Sequence, residues 1–250
     1  FDLMTEGLSL TGITETPLVI YLAQRPGPAT GVPTYTAQGD LNIARHAGHG
    51  EFPRIVLAPG DPIECEELTS QAFYFSQKYK VPVIVMSDKH LAESFYTLSE
   101  TAKITKSNKS TQLSRYNSYE KDSIGSYTDE ASIVEKNIIE RMKKTWAIEK
   151  EAKNFKQYKV FGKKNSKNVI VGWGSTKGAI IDAISDLDCK FVQVLYIDPF
   201  LKDIAKELKG NIILVENNST AQLSQLLSEK INLQIPDRNK ILKFNGRPFS

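Results

Sequence analysis

Cysteine and histidine are scarce, with 2 cysteines and 3 histidines among 250 residues. Cys65 and Cys189 are too few for a disulfide framework or a CxxC metal site. They fit two reduced thiols in a cytoplasmic protein. Long hydrophobic runs are missing too. Val83-Ile84-Val85-Met86 and Ile212-Ile213-Leu214-Val215 are strand-sized, well short of the ~18 residues of a membrane span. No basic stretch leads into an apolar one at the start, so no secretory signal is expected. Nor is there an excess of one charge: 32 basic against 29 acidic residues leave +3. That balance gives no reason to expect a nucleic-acid partner. The chain opens Phe1-Asp2-Leu3-Met4 without an initiator methionine. Either it was trimmed, or these residues continue something upstream.

What is present is ordinary globular material. At 40% hydrophobic residues the chain can build a core, and 250 residues allow one large or two ordinary domains. Charge is uneven along it. Residues 1–100 carry 6 basic and 12 acidic groups, and residues 101–250 carry 26 and 17. Composition shifts at the same place, because residues 101–130 are polar and aperiodic and read as a linker or long surface loop. Before it, Pro17 to Leu22, Arg54 to Ala58 and Pro82 to Ser87 read as buried parallel strands. Between the last two, Asp61 as N-cap and Pro62 in the first turn predict a helix to Tyr79. Leu68, Ala72, Phe75 and Tyr79 lie on one face of it.

After the linker, residues 130–157 are the longest helical candidate, with Ala131, Val134, Ile138, Met142 and Trp146 three or four apart. Its charges read as a solvated face or as a docking surface. Strands are then expected at Val169 to Gly172, Phe191 to Tyr196 and Asn211 to Val215. Helices are expected at Thr176 to Leu187, Phe200 to Leu208 and Ser219 to Ile231. Such alternation predicts an α/β fold with two parallel-sheet α/β units.

The densest candidate site is Gln24-Arg25-Pro26-Gly27-Pro28-Ala29-Thr30-Gly31-Val32-Pro33-Thr34, directly after a strand. Ligands of open α/β sheets bind beyond strand carboxyl ends. The Arg25 fork suits a carboxylate or phosphate, and Thr30 and Thr34 can add hydroxyl donors. The same residues also suit a loop shaped for packing. His46-Ala47-Gly48-His49-Gly50-Glu51 invites a metal reading, but no third nitrogen or sulfur ligand is near and the glycines deny helical spacing. A structural turn is the simpler reading, or His49 lines a pocket. Gly172-Trp173-Gly174-Ser175-Thr176 is a strand-to-helix turn that could hold an anion or be capped by Ser175 or Thr176. It matches neither a Walker A loop nor GxGxxG. Glu216-Asn217-Asn218-Ser219 follows a strand, as a site or as a helix cap through Ser219 or Asn218. No metal site and no nucleophile triad is expected.

Taken together, these segments resemble a known family. The likeness runs through Glu6-Gly7, Thr14-Glu15-Thr16-Pro17-Leu18-Val19, Gln24-Arg25-x-Gly27-Pro28-x-Thr30-Gly31-x-Pro33-Thr34 and Gln38-Gly39-Asp40. It continues through Gly48 to Asp61, Arg141-Met142-x-Lys144, Gly172 to Gly178, Glu216-x-Asn218-x-x-x-Gln222-Leu223 and Gly246-Arg247-Pro248-Phe249. Order and spacing are those of the α subunit of the 2-oxoacid:ferredoxin oxidoreductases, the 2-oxoglutarate type in particular.

The resemblance implies residues 1–100 as the C-terminal part of a thiamine-diphosphate pyrimidine-binding-type domain. Residues 101–157 would be linker and long helix, and residues 158–250 a transketolase C-terminal-like domain. It implies oxidative decarboxylation of a 2-oxoacid, such as 2-oxoglutarate or pyruvate, to acyl-CoA and carbon dioxide, with reduction of ferredoxin. Coenzyme A would be the co-substrate. Thiamine diphosphate and magnesium would be shared with a β subunit that also holds a 4Fe–4S iron–sulfur cluster. Arg25 would receive the substrate carboxylate, with Thr34 near the same pocket. Ala29, Tyr35, Ala37 and Ala221 depart from the family's usual residues. Tyr35 and Ala37 sit beside the substrate loop and bear on the preferred 2-oxoacid. The family's Tyr-Pro-x-Thr-Pro motif and cofactor-activating glutamate belong upstream of Phe1, so Phe1 reads as an internal position and the isolated chain as inactive. The alternative is a non-catalytic interaction subunit that docks a thiamine-binding partner.

Overall fold

The computed structural model describes residues 1–109 and 117–250; part of the expected linker, residues 110–116, lies outside the described residues. Helix α1 (Thr5–Thr14) leads into β1 (Leu18–Gln24), α2 (Leu41–His46), β2 (Ile55–Leu57), α3 (Pro62–Tyr79), β3 (Pro82–Asp88) and α4 (Lys89–Glu93). After the linker come α5 (Ala131–Ala152), β4 (Tyr158–Gly162), β5 (Asn168–Trp173), α6 (Thr176–Ala183) and β6 (Lys190–Val194). The chain ends through β7 (Tyr196–Asp198), β8 (Asn211–Glu216), α7 (Gln222–Ile231) and β9 (Lys240–Leu242).

The strands form two sheets, ordered β1-β3-β2-β7 and β4-β6-β5-β8-β9. β1, β3 and β2 are parallel, as are β6, β5, β8 and β9, while β7 and β4 join as antiparallel members. Every residue of β3 is buried, which is why its sequence is nearly unbroken apolar rather than alternating. The α3 boundaries match the expectation because their cause is local. Asp61 Oδ1 accepts the Glu64 backbone N–H at 2.8 Å, and Lys80 ends the helix in the left-handed region.

The expected strand from Phe191 to Tyr196 is two strands. The backbone N–H groups of Leu195 and Tyr196 both donate to Gln157 O, and the chain then leaves its sheet to pair with β2. The apolar core follows that exchange: Ile84 and Met86 of the first sheet share one cluster with Val171, Trp173 and Leu214 of the second. The expected helices after the linker are all shorter: α6 stops at Ala183 and α7 starts at Gln222. Phe200 to Leu208 holds only a 3-10 turn at Lys202–Lys206, and the residues after Ala152 turn into β4. The long-helix stripe does not face the core. α5 buries only Arg141, Ile148 and Ala152, while Trp146 is 71% exposed. Its C-terminal end is what docks on α3: Glu151 accepts from Tyr74, Tyr79 and Lys78, the last at 2.6 Å.

Candidate functional site

The loop after β1 is closed at its base by Gln24, which is 2% exposed. Gln24 Nε2 donates to Ser87 O at 3.2 Å, and Gln24 Oε1 accepts the Asp40 N–H at 3.2 Å. Residues 25–40 therefore leave and return at one point on the first sheet. Inside the loop, Val32 N–H donates to Pro26 O at 2.9 Å. Gly31 sits at φ +54°, where a Cβ would lie 1.8 Å from Pro26 O, so only glycine fits this turn. Arg25 Nε donates to Thr30 O at 3.1 Å, and Nη2 to Ala29 O at 3.3 Å. These bonds orient the guanidinium and leave the Nη1 hydrogens and one on Nη2 free for an anion.

Arg25 and Thr30 share a cavity of about 490 Å³ with Phe1, Ala23, Asp40 and Ile43. Burial pushes the Asp40 carboxyl above the usual carboxylate range, against the pull of Arg25. Thr34 is not in this cavity. It lies in a smaller one of about 220 Å³ with Thr36, Lys89, His90 and Arg247. His49 lines a third, open cleft of about 1080 Å³ with Glu6, Ser9, Glu51 and Arg141. In that cleft Arg141 is already paired to Glu120, and two carboxylates remain, a poor setting for a polyanion. Among the described residues, no three His, Cys, Asp or Glu side chains are grouped so as to hold a metal.

The other two sequence clusters lie at the junction of the sheets. Gln38 is fully buried and uses all its polar groups. Its Nε2 donates to Trp173 O at 2.6 Å, its Oε1 accepts Asn217 N–H at 2.8 Å, and its O accepts Asn218 Nδ2–H at 3.0 Å. Its N–H donates to Asn217 O at 2.7 Å. Glu216 accepts Trp173 Nε1–H at 2.8 Å, Asn218 Nδ2–H at 3.0 Å and Leu223 N–H at 3.0 Å. Burial nevertheless outweighs these bonds and pushes its carboxyl up to about 7. The expected caps are absent: neither Ser175 nor Ser219 caps a helix, and α7 begins after Ala221 in the left-handed region. Asn218 Oδ1 instead accepts the N–H groups of Thr220 and Ala221, and Glu216 serves the first turn of α7.

Beside this junction, Lys177 pairs with Asp61 and, at 2.6 Å, with Glu64. Glu64 also accepts from Gly60 N–H at 2.8 Å and Gln193 Nε2 at 2.6 Å. Gly174 stands at φ +59°, where a Cβ would meet Gln38 Nε2 at 2.8 Å.

Residues 1–165 match the family profile described as pyruvate flavodoxin/ferredoxin oxidoreductase, thiamine diphosphate-binding. The chain belongs to this family. It is 36% identical over 288 aligned residues to the 2-oxoacid:ferredoxin oxidoreductase subunit alpha of Saccharolobus solfataricus, covering 100% of this chain and 45% of that one. A 2-oxoglutarate synthase subunit KorA from Archaeoglobus fulgidus is 44% identical over 97 residues, 38% of this chain and 28% of its own. Among solved structures, the 2-oxoglutarate:ferredoxin oxidoreductase from Magnetococcus marinus, with 2-oxoglutarate, coenzyme A and succinyl-CoA bound, superposes with a TM-score of 0.79 at 25% identity. It covers 100% of this chain and 49% of that chain. This chain thus spans about half the length of the relatives it matches.

The family motifs acquire physical roles here. Gln38-Gly39-Asp40, Gly172 to Gly178 and Glu216-x-Asn218 weld the Arg25 loop to the second sheet. Sequence reasoning saw each motif alone and missed the pairing, since Gln38 meets Trp173 across 135 positions. Cys65 is half-buried, and burial followed by the charges of Asp61 and Glu64 pushes its thiol up to about 12. It is therefore held as a thiol, not a reactive thiolate. No helix among the described residues is long and apolar enough to cross a membrane.

Proposed function

We propose that this chain supplies the α-subunit part of a 2-oxoacid:ferredoxin oxidoreductase. That enzyme decarboxylates a 2-oxoacid oxidatively, forms an acyl-CoA and reduces ferredoxin. The observation that carries the reading is Arg25. Its guanidinium is oriented by two carbonyls of its own rigid loop, at the carboxyl end of a parallel strand, with donors open to a 490 Å³ cavity.

In this reading Arg25 holds the carboxylate of the 2-oxoacid through paired hydrogen bonds. Thr30 shapes the same cavity, and Thr34 acts from the far side of the loop. His49 lines a separate cleft and has no part in holding the oxoacid. Thiamine diphosphate, when bound, would supply the nucleophilic chemistry that the decarboxylation of a 2-oxoacid needs. Of the acids nearest the junction, Asp61 and Glu64 are committed to Lys177 and Glu216 to buried N–H donors, so none of these is left to hold magnesium. The reading therefore shares thiamine diphosphate and magnesium with a β subunit that also holds the iron–sulfur cluster. This chain's part is to bind and orient the substrate in a site closed by the partner. Residues 1–100 and 158–250 would be the two domains that meet at the Gln38 junction, in a cytoplasmic complex.

The test is Arg25→Ala in the assembled complex. KM for the 2-oxoacid should rise, with a loss in kcat/KM worth about 2–5 kcal/mol, and Arg25→Lys should recover part of it. An unchanged kcat/KM would remove Arg25 from the site. The second reading, a docking subunit without catalysis, draws on the outward stripe of α5, where Ile138, Ile139 and Trp146 are exposed. It predicts a complex that assembles normally yet is indifferent to Arg25→Ala.

A further inference from the structure

The 220 Å³ cavity on the far side of the substrate loop enters the reading above only through Thr34. Tyr35 forms one wall. Arg247 Cζ lies 3.7 Å from the centre of its ring, and Lys89 Nζ lies 5.8 Å from the same centre. Two cations are thus gathered around one aromatic ring, where their mutual repulsion goes partly uncancelled. Among the described residues, the only carboxylate lining the cavity is Glu93, which pairs with Lys89 at 3.3 Å and is largely exposed. Arg247 has no ion pair among the described residues.

The Arg247 backbone is nevertheless fixed. Its N–H donates to Asn245 Oδ1 at 3.1 Å, and its carbonyl accepts Asn217 Nδ2–H at 2.9 Å. Stacking on Tyr35 occupies the face of the guanidinium and leaves its edge, where the N–H fork lies, free for an oxyanion. Thr36 adds a hydroxyl from a residue only 3% exposed. That oxygen accepts His90 N–H at 3.4 Å, and its own proton has no acceptor among the described residues. A Cβ on Gly246 would lie 3.2 Å from Tyr35 Cβ and 3.5 Å from Pro26 Cγ. The wall of this cavity and the neighbour of Arg25 therefore pack on the same C-terminal residue.

We propose that Arg247, Lys89 and the Thr36 hydroxyl form an anion subsite for a carboxylate or phosphate group. The identity of that ligand rests on the reaction proposed above. Two groups of this chemistry are available to such an enzyme: the second carboxylate of a 2-oxodicarboxylate and the phosphates of coenzyme A. The subsite would be preformed, since the C-terminal segment that carries Arg247 is tied to Asn217 and, through Gly246 O, to Thr36 N–H at 3.2 Å.

The experiment compares Arg247→Gln, Lys89→Gln and Arg247→Lys with wild type in the assembled complex. The substrates are 2-oxoglutarate and 2-oxovalerate, equal in carbon count and differing in one carboxylate, with coenzyme A varied. Arg247→Gln should lower kcat/KM for 2-oxoglutarate about tenfold or more and leave 2-oxovalerate within about twofold, with Arg247→Lys regaining most of the loss. A comparable rise in KM for coenzyme A, equal with both oxoacids, would support the subsite and make a phosphate its ligand. As a readout free of turnover, glutarate and inorganic phosphate are titrated into the complex. A rise in melting temperature with either, lost in Arg247→Gln, supports the subsite. If no kinetic constant moves beyond about twofold and neither anion shifts the melting temperature, the proposal is overturned. Failure of the substrate reading shows separately, because it appears in Arg25→Ala and not in Arg247→Gln.

Discussion

Replacing Glu216 by Gln should change how stability depends on pH, more than stability itself at any one pH. The carboxyl is fully buried and all its partners are donors: Trp173 Nε1, Asn218 Nδ2 and Leu223 N. Burial still raises its pKa from 4.5 to about 7. Between those values the folded protein keeps a proton that the unfolded chain has released. Stability is therefore fully present below about pH 4.5, falls as pH rises, and levels off above about pH 7. At 1.36 kcal/mol per unit the whole swing is roughly 3 kcal/mol. Gln keeps the Oε1 acceptor and carries no charge at any pH. The stability difference between Glu216→Gln and wild type should thus move in favour of the variant by most of that amount between about pH 5 and pH 8. Urea titrations at intervals across this range, followed by tryptophan fluorescence, measure it. Asp40, Asp198 and His46 also have shifted carboxyl or imidazole groups, but they are common to both proteins and cancel in the difference. A flat difference from pH 5 to pH 8 would refute the reasoning, since it would mean that Glu216 titrates alike folded and unfolded.

Two further perturbations probe the loop and its junction. Lys177→Met leaves Glu64, a fully buried acid, with Lys159 at 2.9 Å as its remaining cation. The loss should be about 3 kcal/mol, the low end for breaking a buried pair, read as the shift in urea midpoint at constant slope. Gly31→Ala forces a Cβ into Pro26 O and so opens the turn that supplies the Thr30 and Ala29 carbonyls to Arg25. Stability should fall by only about 1–3 kcal/mol, the scale of local backbone strain in an exposed loop. KM for the 2-oxoacid should rise nearly as much as in Arg25→Ala, and steady-state kinetics on the complex decides.

How far the sequence reached depended on whether the cause of a feature was local. β3 and α3 were readable because an unbroken apolar run and an Asp-Pro start carry their own explanation. α1 was not, because its Ser and Thr residues disguise it: Ser9, Thr11 and Thr14 each bond the carbonyl four residues back. β4 was not read, since Tyr158-Lys159-Val160-Phe161 follows the long helix closely and is half-buried throughout. β9 is three residues long and has no pattern to read. At the site, Arg25 and Thr30 are neighbours in sequence and share a cavity. Thr34 is only four residues beyond Thr30 but lines the other cavity, past the turn at Gly31. No count of spacing reveals which side of a turn a side chain takes.

The contacts that sequence reasoning missed are the ones that make the loop depend on the rest of the molecule. Gln38 alone holds Trp173, Asn217 and Asn218, and Asp40, two residues on, closes the loop back onto Gln24. The second sheet thus fixes where the loop ends, and Gln24 fixes where it begins. Arg25 lies one residue beyond that anchor, with its own loop carbonyls as its hydrogen-bond partners among the described residues. An arginine placed this way has little freedom to lose when an anion arrives, which is the condition under which its hydrogen bonds appear in affinity rather than in ordering. The same logic applies across the loop to Arg247, whose backbone is tied to Asn217. Asn217 therefore connects the two guanidinium positions: its N–H and carbonyl hold Gln38, while its amide holds the C-terminal segment. A change at Asn217 should disturb both anion positions at once, whereas Arg25→Ala and Arg247→Gln should each disturb one.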